Sequence, residues 1–267
     1  MNIEAYWGLK EKPFLNTPDT RYLYESEDFV EAMGRILFNL KEVKGGLTLI
    51  TGEVGCGKTL LVYSLIEKLP GSRFTTIKLI NPKFSPTQLL RMIVQELGDE
   101  EPPRYRTKLM EKLQSLLIKS DKKNITPVLL IDEAQAIPKR TLEEIRLLLN
   151  YEDKKKKLLQ IILLGQPELK KRIQEIEQLN QRINIRYHLR GLNAEETKKY
   201  IKHRLKIAQA KRKVFTPSSV SLIHKLSRGI PRLINTLATN SMYAGLLLKK
   251  DIIDEPLINE VYKELIQ

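Results

Sequence analysis

Along this chain, short unbroken apolar runs alternate with longer stretches in which apolar residues recur every three or four positions. The runs at residues 47–50, 128–131 and 158–164 have the length of strands, and strands buried on both faces read in this near-continuous way. Residues 74–80 and 184–188 read as two more. Between them, Phe29, Met33, Ile36, Leu37 and Leu40 mark a helix over 26–43, and a helix starting near Lys58 stops at Pro70-Gly71. Ser85-Pro86-Thr87-Gln88 forms a capping box with Pro at the first helical position, so a helix runs on to about Leu97. Further helices are expected over 105–119 and 139–150. Strands alternating with helices predict an α/β fold, a five-stranded parallel sheet sandwiched by helices.

From Asn193 the spacing is helical throughout, with Asn193 and Glu196 in capping-box positions and breaks at Thr216-Pro217 and Gly229-Ile230-Pro231. The expected organisation is a core over 1–190, entered through an irregular segment 1–25, and a small all-helical lid over 191–267. No internal repeat is visible.

The first strand runs into Gly52-Glu53-Val54-Gly55-Cys56-Gly57-Lys58-Thr59, which fits the phosphate-loop pattern in its proper setting between strand and helix. Glycines let the backbone N–H groups from Gly52 to Leu60 turn inward around a polyphosphate, and the following helix adds its positive dipole end. Lys58 is placed for the β and γ phosphates, and the Thr59 hydroxyl for Mg²⁺, which takes oxygen ligands. The run at 128–131 ends in Asp132 and Glu133. Ligands of such sheets gather at the carboxyl ends of the strands. Asp132 is expected to hold Mg²⁺ through water and Glu133 to act as general base on the attacking water, the pair making the chain a hydrolase.

Composition changes this picture in two respects. The 267 residues carry 46 Lys or Arg against 32 Asp or Glu, a net charge of +14, which favours an acidic partner: nucleic acid, an anionic membrane surface or a protein. The surplus is regional, with 18 basic against 7 acidic residues between Tyr151 and Lys213. A single cysteine, Cys56, excludes a disulfide framework and fits a reducing compartment. At a helix N-terminus, where thiol acidity rises, Cys56 is a candidate redox or alkylation switch. The start carries no signal-peptide pattern and no apolar run approaches the roughly 20 residues of a membrane span, so a soluble, cytoplasmic chain is expected. His188, His203 and His224 lack metal-ligand spacing, so no metal beyond Mg²⁺ is implied.

A phosphate-loop core, a helical lid and a late Gly229-Ile230-Pro231-Arg232 segment together resemble the AAA+ ATPases. That resemblance implies ATP as the nucleotide, Arg232 as the second sensor reaching from the lid, and Gln166, in Leu164-Gly165-Gln166-Pro167, as the first-sensor residue reading the γ-phosphate. It implies too a homo-oligomer in which Arg182, or Arg186 as second candidate, is the arginine finger sent into the neighbouring subunit. More closely, Tyr6-Trp7-Gly8-Leu9, Pro13-Phe14, Thr17-Pro18-Asp19, GEVGCGKT, LLIDEAQ, LLGQPEL and QRINIRYHL are similar to segments of the ExeA/GspA-type general secretion ATPases. Cys56 stands where that family usually has a small hydroxyl residue. The family commonly continues into a membrane span and a cell-wall-binding region, so the resemblance is expected to cover the AAA+ module only and membrane insertion is not implied.

Two partners follow as expectations. The resemblance implies membrane-associated export machinery, with the chain peripheral to the inner membrane. The lysine run Lys154, Lys155, Lys156 and Lys157, and Lys83 in the loop after the second strand, lie in connections that face the channel of AAA+ rings. They are expected to track the backbone of duplex DNA, as in a target-selection ATPase of the transposition-helper kind.

Overall fold

The computed structural model describes residues 2–80, 82–153 and 156–266. In chain order, α1 (Ile3–Trp7) and α2 (Glu27–Phe38) precede β1 (Leu47–Gly52), α3 (Lys58–Lys68) and β2 (Phe74–Leu79). Then come α4 (Pro86–Glu96), α5 (Arg106–Lys122), β3 (Thr126–Ile131), α6 (Lys139–Leu148) and β4 (Gln160–Gly165). The chain continues through α7 (Glu168–Gln174), α8 (Glu177–Asn180), β5 (Ile183–Leu189), α9 (Ala194–Ile207), α10 (Pro217–Ser227), α11 (Pro231–Leu247) and α12 (Glu255–Leu265). Contacts divide it into a sheet unit, residues 29–52 and 61–189, and a helical unit, residues 1–28, 53–60 and 190–267.

In the sheet unit all five strands are parallel, in the order β2-β3-β4-β1-β5. The strands β1 and β4 are buried along their whole length, which is why they read as unbroken apolar runs. At the edge, β5 alternates half-buried Ile183, Ile185 and Tyr187 with exposed Asn184, Arg186 and His188. The capping box expected at Ser85 is formed, its hydroxyl accepting from the Gln88 N–H while the Gln88 side chain accepts from the Ser85 N–H. The single helix expected over 26–43 ends at Phe38 and continues as a π turn, Asn39–Val43, closed by Lys44 at φ 52°.

In the helical unit, the segment expected to be irregular carries α1 and a 3₁₀ turn, Thr20–Tyr22. Five residues are too few to show a helical period; the Asn2 side chain starts α1 by accepting from the N–H groups of Glu4 and Ala5. The entrance segment was expected on the core side of a boundary at 190, but it packs with the helices beyond that boundary. Trp7 is fully buried, its indole N–H donates to the Met242 carbonyl at 2.9 Å, and its ring lies where a side chain on Gly245 would begin. Arg204 is buried between the rings of Tyr22 and Tyr200, 5.0 and 5.3 Å from their centroids, and donates to the Leu15 carbonyl at 3.1 Å. Burial holds its guanidinium below the usual arginine range. Tyrosine faces supply the cation–π attraction that offsets this desolvation.

Gly229 sets the entry to α11. It has φ 73°, and its carbonyl accepts from the Leu192 N–H at 2.8 Å; a Cβ there would lie 1.8 Å from the Leu192 oxygen. Gly229→Ala is expected to destabilise the helical unit by more than the ~1–2 kcal/mol that a left-handed backbone alone costs, because the backbone clash adds to it. Thermal unfolding checks this, and an unchanged Tm would show that the 228–230 turn yields freely.

Candidate functional site

In the phosphate loop, two glycines take conformations that other residues rarely adopt, Gly55 at φ 85° and Gly57 at φ 103°. A Cβ on Gly57 would meet nothing within 4 Å, so the glycine there serves backbone shape and keeps the concave face open. Lys58 is 5% exposed, and its ammonium donates to the Glu53 carbonyl at 2.9 Å, which holds the charge across the mouth of the loop. Thr59 is exposed at the start of α3. Arg232, second residue of α11, donates its N–H to the Gly55 carbonyl at 3.2 Å. A Cβ on Gly55 would lie 2.4 Å from that of Arg232, so the GIPR segment is seated directly against the loop. The switch expected of Cys56 is not supported: the residue is 7% exposed and burial, the dominant influence, pushes its thiol up against the smaller opposing effect of Lys58.

Within the sheet unit, β3 and β4 deliver Asp132, Glu133 and Gln166 to one edge. Asp132 is buried and its carboxylate accepts from the Glu133 N–H at 2.9 Å. Glu133 is exposed and takes a left-handed backbone, φ 52°. Its Oε2 accepts from the side-chain amide of Gln135 at 2.6 Å and from that of Gln166 at 3.4 Å. Gln135 Oε1 in turn accepts from the Gln166 N–H at 3.0 Å. Arg172 of α7 donates to the carbonyls of Gln135 and Ile137, at 2.6 Å for the latter. Neither Gln135 nor Arg172 was expected from the sequence. Gln135 stands in the LLIDEAQ run, two residues past Glu133, and that spacing was the available signal.

Thr59 in the helical unit carries a hydroxyl and Asp132 in the sheet unit a carboxylate, and no cluster of three or more His, Cys, Asp or Glu occurs among the described residues. Hard oxygens of this kind suit Mg²⁺, which keeps several waters, rather than a metal held in a protein cage.

The arginines lie elsewhere. Arg182 immediately precedes β5 and donates to Asn150 Oδ1 at 2.6 Å; Arg186, opposite Leu49 of β1, donates to Asn180 Oδ1 at 2.9 Å and to the Asn180 carbonyl at 2.6 Å. Because the strands are parallel, Arg182 sits at the edge opposite Asp132, Glu133 and Gln166, about 20 Å away along a strand rising ~3.3 Å per residue. It cannot serve the carboxylates of its own chain.

Lys154 and Lys155 lie outside the described residues. Lys156 pairs with Asp121 and Lys157 with Glu152, just before β4 begins, whereas exposed Lys83 follows the end of β2. The lysine run and Lys83 were expected to follow one nucleic-acid backbone; parallel strands put Lys156 and Lys157 at the opposite edge of the sheet from Lys83. Lys83 instead shares its edge with exposed Lys139 and Arg140 at the start of α6, where the Thr141 hydroxyl donates to the Phe84 carbonyl at 2.8 Å.

Comparison with known proteins agrees with this geometry. A family model described as an AAA domain matches residues 41–173. The general secretion pathway protein A of Aeromonas hydrophila is 37% identical over 243 residues, covering 90% of this chain and 44% of that protein, so the chain spans less than half of its relative. Among solved structures, Drosophila ORC bound to DNA is similar with TM-score 0.69 at 16% identity, covering 97% of this chain and 67% of that one. The Aeropyrum pernix ORC2 protein gives 0.62 at 18%, covering 88% and 66%. The Thermotoga maritima RuvB Holliday junction branch migration motor gives 0.60 at 18%, covering 92% and 73%. At these identities the likeness is one of fold, the P-loop fold of AAA+ type.

Proposed function

Since the chain is an AAA+ module resembling the general secretion pathway protein A, we propose that it hydrolyses ATP with Mg²⁺ in an assembly of copies and uses the cycle to drive an export machine at the inner membrane. The observation that carries the reading is Glu133, an exposed carboxylate at the end of β3, next to the buried carboxylate of Asp132 and hydrogen-bonded to Gln166 at the end of β4.

Each residue then has a task. Backbone N–H groups of the phosphate loop bind the β-phosphate, and Lys58 exchanges the Glu53 carbonyl for phosphate oxygens. Thr59 and Asp132 would each supply an oxygen for Mg²⁺, Asp132 through water, and the ion would offset the charge of the phosphates. Glu133 accepts a proton from the attacking water as it closes on the γ-phosphorus. Gln166 reads the γ-phosphate, Arg232 engages it from α11, and Arg182 of an adjacent copy stabilises the charge that develops on it. No helix among the described residues is long and apolar enough to cross a membrane.

A second reading rests on Lys83, Lys139 and Arg140, three exposed cations at one edge of the sheet unit, which suit the backbone of duplex DNA. Hydrolysis measured across protein concentration, with and without duplex DNA and at two salt concentrations, tests both. The export reading expects turnover per chain that rises with concentration and ignores DNA. Strong stimulation by DNA that fades as salt rises would favour the second, and no hydrolysis at any concentration would overturn both.

A further inference from the structure

A glutamate that takes a proton from water must hold its carboxylate in hydrogen-bond reach of that water, yet Glu133 is exposed, with three side-chain torsions to restrain. Among the described residues, the hydrogen bonds that restrain it both reach Oε2, from Gln135 at 2.6 Å and from Gln166 at 3.4 Å. These two contacts are unequal. Gln166 has a phosphate to read and holds Glu133 only at the limit of a hydrogen bond; Gln135 holds it closely.

Gln135 is itself fixed on every side. Its Oε1 accepts from the Gln166 N–H, and its main-chain carbonyl accepts from Arg172. Gly165, the last residue of β4, leaves the space it occupies: a Cβ there would lie 2.8 Å from Gln135 Oε1 and 3.2 Å from the Gln135 nitrogen. A side-chain amide held at both ends, one on the base and one on the first-sensor backbone, is a rigid spacer between the two.

We infer that Gln135 is the positioning residue of Glu133: its amide N–H fixes Oε2, presents Oε1 to the attacking water, and frees Gln166 to turn to the γ-phosphate. The inference rests on the reading of the chain as an ATPase with Glu133 as general base. Arg172 acts one step further out, tying the turn that carries Gln135 to α7.

The test is ATP hydrolysis by the full chain carrying Gln135→Ala or Gln135→Glu. Gln135→Glu keeps the size of the side chain and an acceptor for the Gln166 N–H, replaces the donor to Glu133 with a carboxylate that repels it, and carries the test should the alanine variant fold poorly. In both, kcat is expected to fall about 10- to 100-fold with KM nearly unchanged, the loss that a misplacement of about an ångström produces. In a Glu133→Gln background, single-turnover rates are expected to fall no further when Gln135 is also replaced. Wild-type kcat in both variants would overturn the inference, as would an equal additional loss in the Glu133→Gln background, which would mark Gln135 as a structural part of the turn. A wild-type chain without turnover would instead remove the ATPase reading and this inference with it.

Discussion

Glu133→Gln is expected to lower kcat by about 10²–10⁴-fold, the range that one positioned general base contributes, while nucleotide affinity stays as it was. The amide keeps the volume of the carboxylate and an oxygen for the Gln135 N–H, so the hydrogen bond at Oε2 survives. What it removes is a basic oxygen for the proton of water. Affinity is unaffected in this account because the loop from Gly52 to Leu60 and Lys58 bind the phosphates. Steady-state hydrolysis beside fluorescent-nucleotide titration separates the two quantities. Hydrolysis at the wild-type rate would remove Glu133 from the chemistry, and lost binding would make it a ligand of the nucleotide rather than a base.

Arg182→Ala is expected to cost about 10³–10⁵ in kcat, and the loss should be repaired by mixing. Arg182 immediately precedes β5, at the edge from which the carboxylates of its own chain are out of reach. A chain lacking Arg182 retains a whole active site, and a chain with Glu133→Gln retains a whole arginine. Combined, the two variants, each inactive, should recover part of the wild-type rate as mixed assemblies form. Absence of recovery, in mixtures shown by sizing to co-assemble, would return Arg182 to the local role its bond to Asn150 describes. If Arg186→Ala rather than Arg182→Ala shows the loss and its repair, the finger is four residues further along, within β5.

How much of this was legible beforehand follows from how each feature is encoded. The inner strands announce themselves because burial on both faces requires apolar residues at every position, and the phosphate loop because backbone shape demands glycine at fixed spacing. The helices α1, α7 and α8, of 5, 7 and 4 residues, were not foreseen because so few residues complete too few turns to show a period. Gln135 was missed for a different reason: its partners are 31 residues away at Gln166 and 37 at Arg172, and only the register of the sheet brings them together. The separation of Lys83 from Lys156 and Lys157 was readable in principle. In a parallel sheet a loop after a strand and a loop before one leave from opposite edges, and the sequence already predicted parallel strands.

The seat of Arg232 against Gly55 has a mechanical consequence. A backbone hydrogen bond and a missing Cβ join the phosphate loop to the first turn of α11, a helix of 17 residues and so roughly 25 Å long. At its other end, Met242 and Gly245 hold the indole of Trp7. The helix is therefore a rod held by the phosphate loop near one end and by the Trp7 indole near the other. A tilt of about 5° at the loop would swing the far end of such a rod by about 2 Å, a displacement that would fall on the Trp7 contact.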